Sequence, residues 1–221
     1  QEEAWNTGLN LSFYIPIAGK ELTLNGEWYY TDFNKQVVVD VDSNPHEVSF
    51  YNLEGSSYSN SFQLEATYPF FRGFTLTAAY RYTDAQTDYR NEAGLIYRMK
   101  KPLVSDYKGL LTASYQTPLK KWQFDVTSQF NGGGRMPLPD TTHPLWESKF
   151  KDYTVVNAQV TRFFRRWSVY VGSENLFDFT QDTPIIDAWN PRGDNFDGSM
   201  IYGPVHGRKI YAGIRFNIAR D

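Results

Sequence analysis

The chain has 221 residues, a formal net charge of -3 and no cysteine, which excludes a disulfide framework, a thiolate metal site and a cysteine nucleophile. No strong positive charge is available to attract a nucleic acid, so we expect no nucleic-acid partner. Aromatic residues make up 17% of the chain, and aromatic side chains favour strands. No apolar run approaches the length of a membrane-spanning helix.

The first predicted element is a hairpin formed by residues 9–15 and 22–30, in which apolar and polar residues alternate. Leu9, Leu11 and Phe13 share one face of the first stretch, and Pro16 and Gly19 lie in the turn that follows. A period of two residues predicts strands with one apolar and one polar face. The pattern therefore begins with two long antiparallel strands.

The same hairpin unit returns three times along the chain, over 61–82, 111–130 and 156–172. The first apolar residue after each turn is Leu22, Phe74, Trp122 or Trp167, and a cation precedes it by two positions in every unit, namely Lys20, Arg72, Lys120 and Arg165. Because spacing, alternation and turn chemistry recur together, this is structural repetition. The four hairpins predict eight strands.

The last alternating stretch, 207–218, supplies a ninth strand with two distinct faces. Ile210, Ala212, Ile214, Phe216 and Ile218 lie on one face, and Tyr211, Gly213, Arg215 and Asn217 lie on the other. A soluble protein would bury the apolar face against a second sheet, whereas a transmembrane barrel would turn it toward lipid. The strand alone leaves both environments open.

The connections distinguish the two environments. Links of roughly 20 to 30 residues join one hairpin to the next, far longer than ordinary hairpin loops, whereas the turns within the hairpins are short. This asymmetry is typical of outer-membrane barrels, as are predicted strands of about 9 to 12 residues and aromatic residues at both strand ends. The sequence therefore predicts an all-β, antiparallel transmembrane β-barrel wall of about nine strands.

The odd number of strands indicates a part of a larger structure. Single-chain bacterial barrels close with an even number of strands, and an open wall would leave unpaired edges in lipid. We therefore expect residues 1–221 to be the carboxyl-terminal portion of one β-barrel domain, with earlier strands elsewhere in the protein.

The stretch Val171-Gly172-Ser173-Glu174-Asn175-Leu176-Phe177 resembles the penultimate strand of TonB-dependent outer-membrane receptors. The following loop, 183–204, and the closing stretch 207–216 are similar to receptors of the Bacteroides type. The resemblance implies a barrel of 22 strands, an amino-terminal plug domain, contact with TonB and location in the outer membrane of a Gram-negative bacterium. It also implies lipid around the barrel, a small-molecule or oligosaccharide solute, and a surface lipoprotein as a further partner.

Two groups of residues are candidates for solute or plug contact, without any cofactor, metal or catalytic group. The candidates that face the lumen are Glu27, Glu65, Arg81, Asp125, Gln129, Gln159, Glu174 and Arg215. The candidates in extracellular loops are His143, Trp146, Trp189, Asp194 and Asp197. Simple wall polarity or plug contact is the more ordinary explanation of the first group, because any barrel lumen is wet, and loop polarity is the more ordinary explanation of the second.

The predicted function is TonB-dependent import of a scarce solute: a metal chelate or siderophore, haem, a cobalamin-like molecule or an oligosaccharide. No motif of an enzyme active site is present, so we expect no enzyme. Two alternatives stay open. One is a passive porin or another outer-membrane barrel, and the other is a soluble carbohydrate-binding β-protein.

Overall fold

The computed structural model describes residues 1–42, 47–91, 93–137 and 147–218. Nine strands in these ranges lie side by side in the main sheet, and we call them the crossing strands: β1 (Glu3–Ile17), β2 (Lys20–Lys35), β5 (Ser57–Phe71), β6 (Phe74–Arg90), β8 (Tyr107–Gln116), β9 (Trp122–Asn131), β12 (Tyr153–Phe163), β13 (Trp167–Glu174) and β14 (Lys209–Phe216). Shorter strands lie in the connections: β3 (Val37–Asp40), β4 (Ser49–Asn52), β7 (Ile96–Lys100), β10 (Gly134–Arg135) and β11 (Lys149–Phe150). No helix within the described ranges is long and apolar enough to cross a membrane.

The main sheet is an antiparallel wall in which the nine crossing strands follow one another in chain order, from β1 to β14. A tenth strand, β7, pairs with the far end of β6. The predicted all-β class, the antiparallel pairing and the nine crossing strands are thereby confirmed. Each hairpin pairs through a short turn because the alternating stretches on its two sides are adjacent in sequence.

The register of the pairing keeps the two predicted faces apart. Val126 lies opposite Ala113 on one side and Ala158 on the other, whereas its neighbour Asp125 lies opposite Ser114 and Gln159. A slip of one residue would exchange the faces. Apolar residues thus meet apolar residues across the wall, and polar residues meet polar ones.

The apolar face is not the inside of a sandwich. Phe62, Leu64 and Val126 are 46%, 47% and 43% exposed, respectively, although all three lie in the middle strands. The buried apolar residues of the described ranges lie instead in the connections and at the end of β6. A soluble sandwich would bury this face, so the fold argues against the soluble alternative.

Four strands are longer than the predicted 9 to 12 residues, and this expectation was wrong for them. β1 and β5 have 15 residues, β2 has 16 and β6 has 17. The additional residues of β6, such as Asp84, Gln86 and Asp88, are mostly polar, so the apolar alternation from which the strand length was predicted does not include them. They pair with β5 and β7.

The short turns use backbone conformations that glycine adopts without strain. Gly19 has a φ of 74°, and Gly73 has a φ of 86°. A Cβ on Gly19 would have no atom within 4 Å, whereas a Cβ on Gly73 would lie 2.0 Å from the carbonyl oxygen of Gln116 on β8. Gly73 is therefore required both by its turn and by the close approach of the next hairpin.

We expect Gly73→Ala to impair assembly much more than Gly19→Ala. Both variants carry the backbone strain of a left-handed residue, on the order of 1 kcal/mol. Only Gly73→Ala also places a methyl group against the carbonyl oxygen of Gln116 and so pushes the turn away from β8. The yield of folded protein in the outer membrane, measured by its altered mobility on unheated gels, checks this. Equal yields for the two variants would contradict the close contact between the hairpins.

Candidate functional site

The long connections leave the sheet at the end opposite the short turns and contact one another there. We call the described parts of these connections, 36–42, 47–56, 91, 93–106, 132–137, 147–152 and 175–208, the loop cap. Within it, β3 pairs with β4, and β10 pairs with β11. The loops that the sequence predicts only as long links thus contain small sheets of their own.

A small hydrophobic core holds two parts of the loop cap together. Its buried members are Met136, Phe150, Ile186 and Met200, with Leu103 and Tyr202 packed against them. The rings of Phe150 and Tyr202 stack with centroids 4.5 Å apart. The third and fourth connections therefore bury each other's apolar side chains and form one packed unit.

A buried ion pair joins the first connection to the third. Arg135 donates two hydrogen bonds to the carboxylate of Asp42, at 2.6 and 2.8 Å, and a third to the carbonyl oxygen of Lys100, at 2.7 Å. The side chain of Asp42 is 0% exposed. Because removing one partner would leave a buried charge unpaired, this contact fixes three connections relative to one another.

A second cluster lies where β6 extends into the loop cap. Asp88 accepts hydrogen bonds from Arg98, at 2.7 and 3.0 Å, and from the backbone N–H of Ser56, at 2.8 Å. The bonds from Arg98 hold the pKa of Asp88 below its ordinary value. Nearby, burial raises the pKa of Tyr51 to about 12, so its hydroxyl stays protonated and donates to Asp40 at 3.0 Å.

We expect the loop cap to loosen around Ser56 when the pH falls below the ordinary range of aspartate. The pKa of Asp88 is lowered by folding, so its stabilising effect is complete above the unfolded pKa and is lost as the pH falls through the lowered one. Hydrogen exchange of residues 53–57 measures the loosening. Arg98→Met should show it already at neutral pH, and acid-insensitive protection in the unaltered protein would contradict the role of Asp88.

The last connection is organised by two amide side chains. Asn175, with a φ of 51°, accepts from the N–H of Phe179 at 2.9 Å and donates to its carbonyl at 2.6 Å. The buried amide of Gln181 donates to the carbonyl of Met200 and accepts from the N–H groups of Tyr202 and Gly203. These contacts satisfy buried backbone groups and give the loop a defined shape.

On the polar face of the sheet, just below the loop cap, the side chains leave a cleft of about 320 Å³. The polar residues that line it are Gln63, Glu65, Arg81, Lys108, Gln129 and Asn131. The cleft brings together three of the predicted lumen-facing residues, Glu65, Arg81 and Gln129.

Two cations lie side by side in this cleft. Arg81 is directly opposite Lys108 in the pairing of β6 with β8, and both side chains are exposed. Neither forms an ion pair with any residue of the described ranges. Like charges directly opposite each other destabilise a strand pair, so this arrangement suits an anionic group bound between them.

The remaining predicted lumen-facing residues all lie on the polar face, but the structure does not gather them into one site. Glu27 accepts from Asn10 at 3.0 Å, and Asp125 accepts from Ser114 at 2.6 Å. Gln159 accepts from the hydroxyl of Tyr211 at 3.1 Å. Glu174 lies opposite Lys209, and Arg215 lies opposite Ser168.

The predicted loop residues are dispersed. Trp189 is 99% exposed, and Asp194 is also exposed. Asp197 is buried, and one of its oxygens accepts from the N–H and the hydroxyl of Ser199 at 2.7 and 2.6 Å. His143 and Trp146 lie outside the described residues. In the described ranges, no group of three or more acidic or histidine side chains is placed to hold a metal ion.

Sequence reasoning missed Lys108 and the pair formed by Asp42 and Arg135. Arg81 and Lys108 lie on β6 and β8, which are joined by a long connection rather than by a short turn. Hairpin spacing fixes the register only across a short turn, so it does not indicate that these two residues are opposite each other. No local signal links Asp42 to Arg135, which are 93 residues apart in sequence.

The observed sheet defines the class of protein. Long antiparallel strands, an exposed apolar face, short turns at one end and packed loops at the other are the features of an outer-membrane barrel wall. Residues 2–176 match the family described as TonB dependent receptor-like, beta-barrel. The chain belongs to this family, whose members are receptors and transporters rather than enzymes. No curated protein sequence is significantly similar to the chain.

Solved structures of the same fold agree with this assignment. The chain is similar to the copper transporter OprC, with a TM-score of 0.66, 13% identity and coverage of 97% of this chain and 31% of that one. It is also similar to the Pseudomonas aeruginosa ferric enterobactin receptor PfeA in complex with enterobactin, with a TM-score of 0.65 and 16% identity over 96% of this chain and 31% of that one. Its similarity to P. aeruginosa FpvA bound to pyoverdines has a TM-score of 0.61 and 17% identity over 97% of this chain and 27% of that one. The chain thus spans less than a third of the structures it matches.

Proposed function

We propose that the chain is the carboxyl-terminal wall of a TonB-dependent transporter in the outer membrane of a Gram-negative bacterium. The complete protein would hold a plug domain and further strands that close a barrel of 22 strands, of which these nine are the last. Family membership supports this proposal, as do the exposed apolar face and the polar face on the same strands.

The proposed solute is an anionic metal chelate, and the pair formed by Arg81 and Lys108 carries this part of the proposal. These two cations have no ion-pair partner among the described residues. In the cleft below the loop cap they would bind the carboxylate, catecholate or hydroxamate oxygens of such a chelate through charge-assisted hydrogen bonds. The related receptors PfeA and FpvA are described with enterobactin and with ferric pyoverdines. Haem, a cobalamin-like molecule and an oligosaccharide are the alternative solutes, which the growth experiment described below distinguishes from a metal chelate.

In the proposed mechanism the loop cap receives the solute first. The solute then lies against the cleft at Arg81 and Lys108, where the plug would complete its surroundings. TonB would pull on the plug and release the solute toward the periplasm. The contacts between Arg135 and Asp42 support the first step, because they hold three connections in a fixed arrangement around the entrance.

We further infer a Bacteroides-type receptor that works with a surface lipoprotein. The resemblance of the stretches 183–204 and 207–216 to such receptors supports this inference. Trp189, which is 99% exposed in the last connection, offers a large apolar side chain for contact with such a partner. If the lipoprotein binds there, it should co-purify with the complete protein and be lost from the Trp189→Ala variant. Unchanged co-purification would contradict a contact at Trp189.

Growth of a deletion strain tests the proposed function. Cells that lack the gene for the complete protein are supplied with ferric chelates, haem, cobalamin or oligosaccharides, each as the limiting nutrient. We expect the deletion to abolish growth on one or more ferric chelates and the complete protein to restore it. A loss confined to haem, cobalamin or an oligosaccharide would overturn the assignment of an anionic chelate, and growth on every source would overturn the transport proposal.

A further inference from the structure

The repeated cations of the short turns have no part in solute capture, because they lie at the end of the sheet opposite the loop cap. We call residues 16–22, 69–74, 116–122 and 162–167 the turn end. Its basic residues are Lys20, Arg72, Lys120, Lys121, Arg162, Arg165 and Arg166, and its acidic residue is Glu21. The chain as a whole has a net charge of -3. Positive charge is therefore concentrated at one end of an otherwise acidic chain.

The cations of the two ends differ in their partners. The ion pairs of the described residues involve Lys35, Arg90, Arg98, Lys100 and Arg135, all at the end of the loop cap. In contrast, Arg72, Lys120 and Arg165 are exposed and form no ion pair with a described residue. Their charges are available to an external anion.

Exposed aromatic side chains lie on the apolar face at the turn end, beside a further cation, Arg162. Arg162 lies opposite Trp122 in the register, and its guanidinium is 4.7 Å from the centre of that ring and 5.5 Å from that of Phe164. Phe164 in turn stacks on Trp167, with ring centroids 3.9 Å apart. Trp122, Phe164 and Trp167 are each more than 40% exposed. The surface thus combines apolar rings with cations at their edge.

We propose that the turn end binds the phosphodiester headgroups of anionic phospholipids. The acyl chains would lie along the apolar face, and the phosphates would lie between the cations, which is where basic and aromatic residues occur at a membrane interface. A free acidic peptide would leave the aromatic side chains exposed, so the combination favours a lipid. This inference rests on the proposed function, since it requires the apolar face to lie in a membrane.

Lipid binding by the complete protein in neutral detergent tests the proposal. Native mass spectrometry measures the binding of phosphatidylglycerol and of phosphatidylcholine to the unaltered protein and to the Arg72→Gln, Lys120→Gln, Arg165→Gln variant. We expect the unaltered protein to prefer phosphatidylglycerol. Because each basic residue near an anionic lipid contributes about 1 kcal/mol, the triple variant should bind that lipid on the order of a hundredfold more weakly. Equal binding of the two lipids by the unaltered protein would overturn the proposal.

The matched control removes the same number of positive charges, three, from the loop-cap end of the sheet. The Lys35→Gln, Arg90→Gln, Lys151→Gln variant should keep the preference for phosphatidylglycerol, and an equal loss there would show that only net charge matters and would refute a site at the turn end. Inorganic phosphate should not displace the lipid, because it lacks acyl chains; displacement would overturn the assignment to a lipid.

Two further measurements keep the test independent of folding and of transport. Added salt should weaken phosphatidylglycerol binding by the unaltered protein, because salt screens exposed charges, and salt-insensitive binding would contradict the proposal without any variant. Solute uptake is measured separately in the same protein. Failure of uptake refutes the proposed function, whereas failure of lipid selectivity refutes only the lipid site.

Discussion

Val126→Arg is expected to impair assembly of the complete protein strongly. Val126 lies at the centre of β9, between Phe124 and Phe130 on the apolar face, and opposite Ala113 and Ala158. An arginine on the lipid face near the middle of a membrane costs about 2 to 4 kcal/mol. The free energy of unfolding from lipid vesicles, measured by denaturant titration, should fall by that amount.

The neighbouring residue supplies a matched control for this prediction. Thr127 lies on the polar face, and its hydroxyl is 3.1 Å from that of Thr112. Thr127→Arg introduces the same charge one position away and should cost only the lost hydrogen bond, about 1 kcal/mol. If the two variants were equally stable, the assignment of the two faces would be wrong.

Replacing both cations of the cleft is expected to reduce capture of an anionic chelate severely. Arg81 and Lys108 face each other across β6 and β8, and each hydrogen bond to a charged group contributes about 1.5 to 3 kcal/mol. The Arg81→Gln, Lys108→Gln variant should therefore bind the chelate on the order of a hundredfold more weakly. Isothermal titration of the purified complete protein measures this change.

Arg215→Gln is the control for that variant. Arg215 is an exposed cation on the same polar face, but it lies on β14 opposite Ser168 and far from the cleft in the sheet order. Its replacement should leave chelate affinity unchanged. The double variant itself should be slightly more stable than the unaltered protein, because a like-charge pair is removed. A chelate affinity unaffected by the double variant would exclude the cleft as the binding site.

The faces of the sheet were predictable from the sequence because a strand exposes alternate residues to opposite sides. In β9, Phe124, Val126 and Phe130 alternate with Gln123, Asp125 and Gln129, and the observed register retains this division. Short turns and long connections were predictable for the same reason, since the alternation of apolar and polar residues stops at each of them.

The loop cap was not predictable, because its contacts join residues that are distant in sequence. The pairing of Arg135 with Asp42 and the packing of Met136 against Met200 depend on how four connections meet. The cleft was partly predictable. Arg81 was recognised from its place on the polar face, but Lys108 required the register of β6 with β8.

Energised uptake in cells with and without TonB tests the central claim most directly. Cells that express the complete protein are given a labelled ferric chelate on which its deletion abolishes growth. The proposed function predicts that the label accumulates against its gradient only when TonB is present, and that the Arg81→Gln, Lys108→Gln variant lowers this accumulation. Equal entry of the label in cells that lack TonB would contradict active transport and identify a passive barrel.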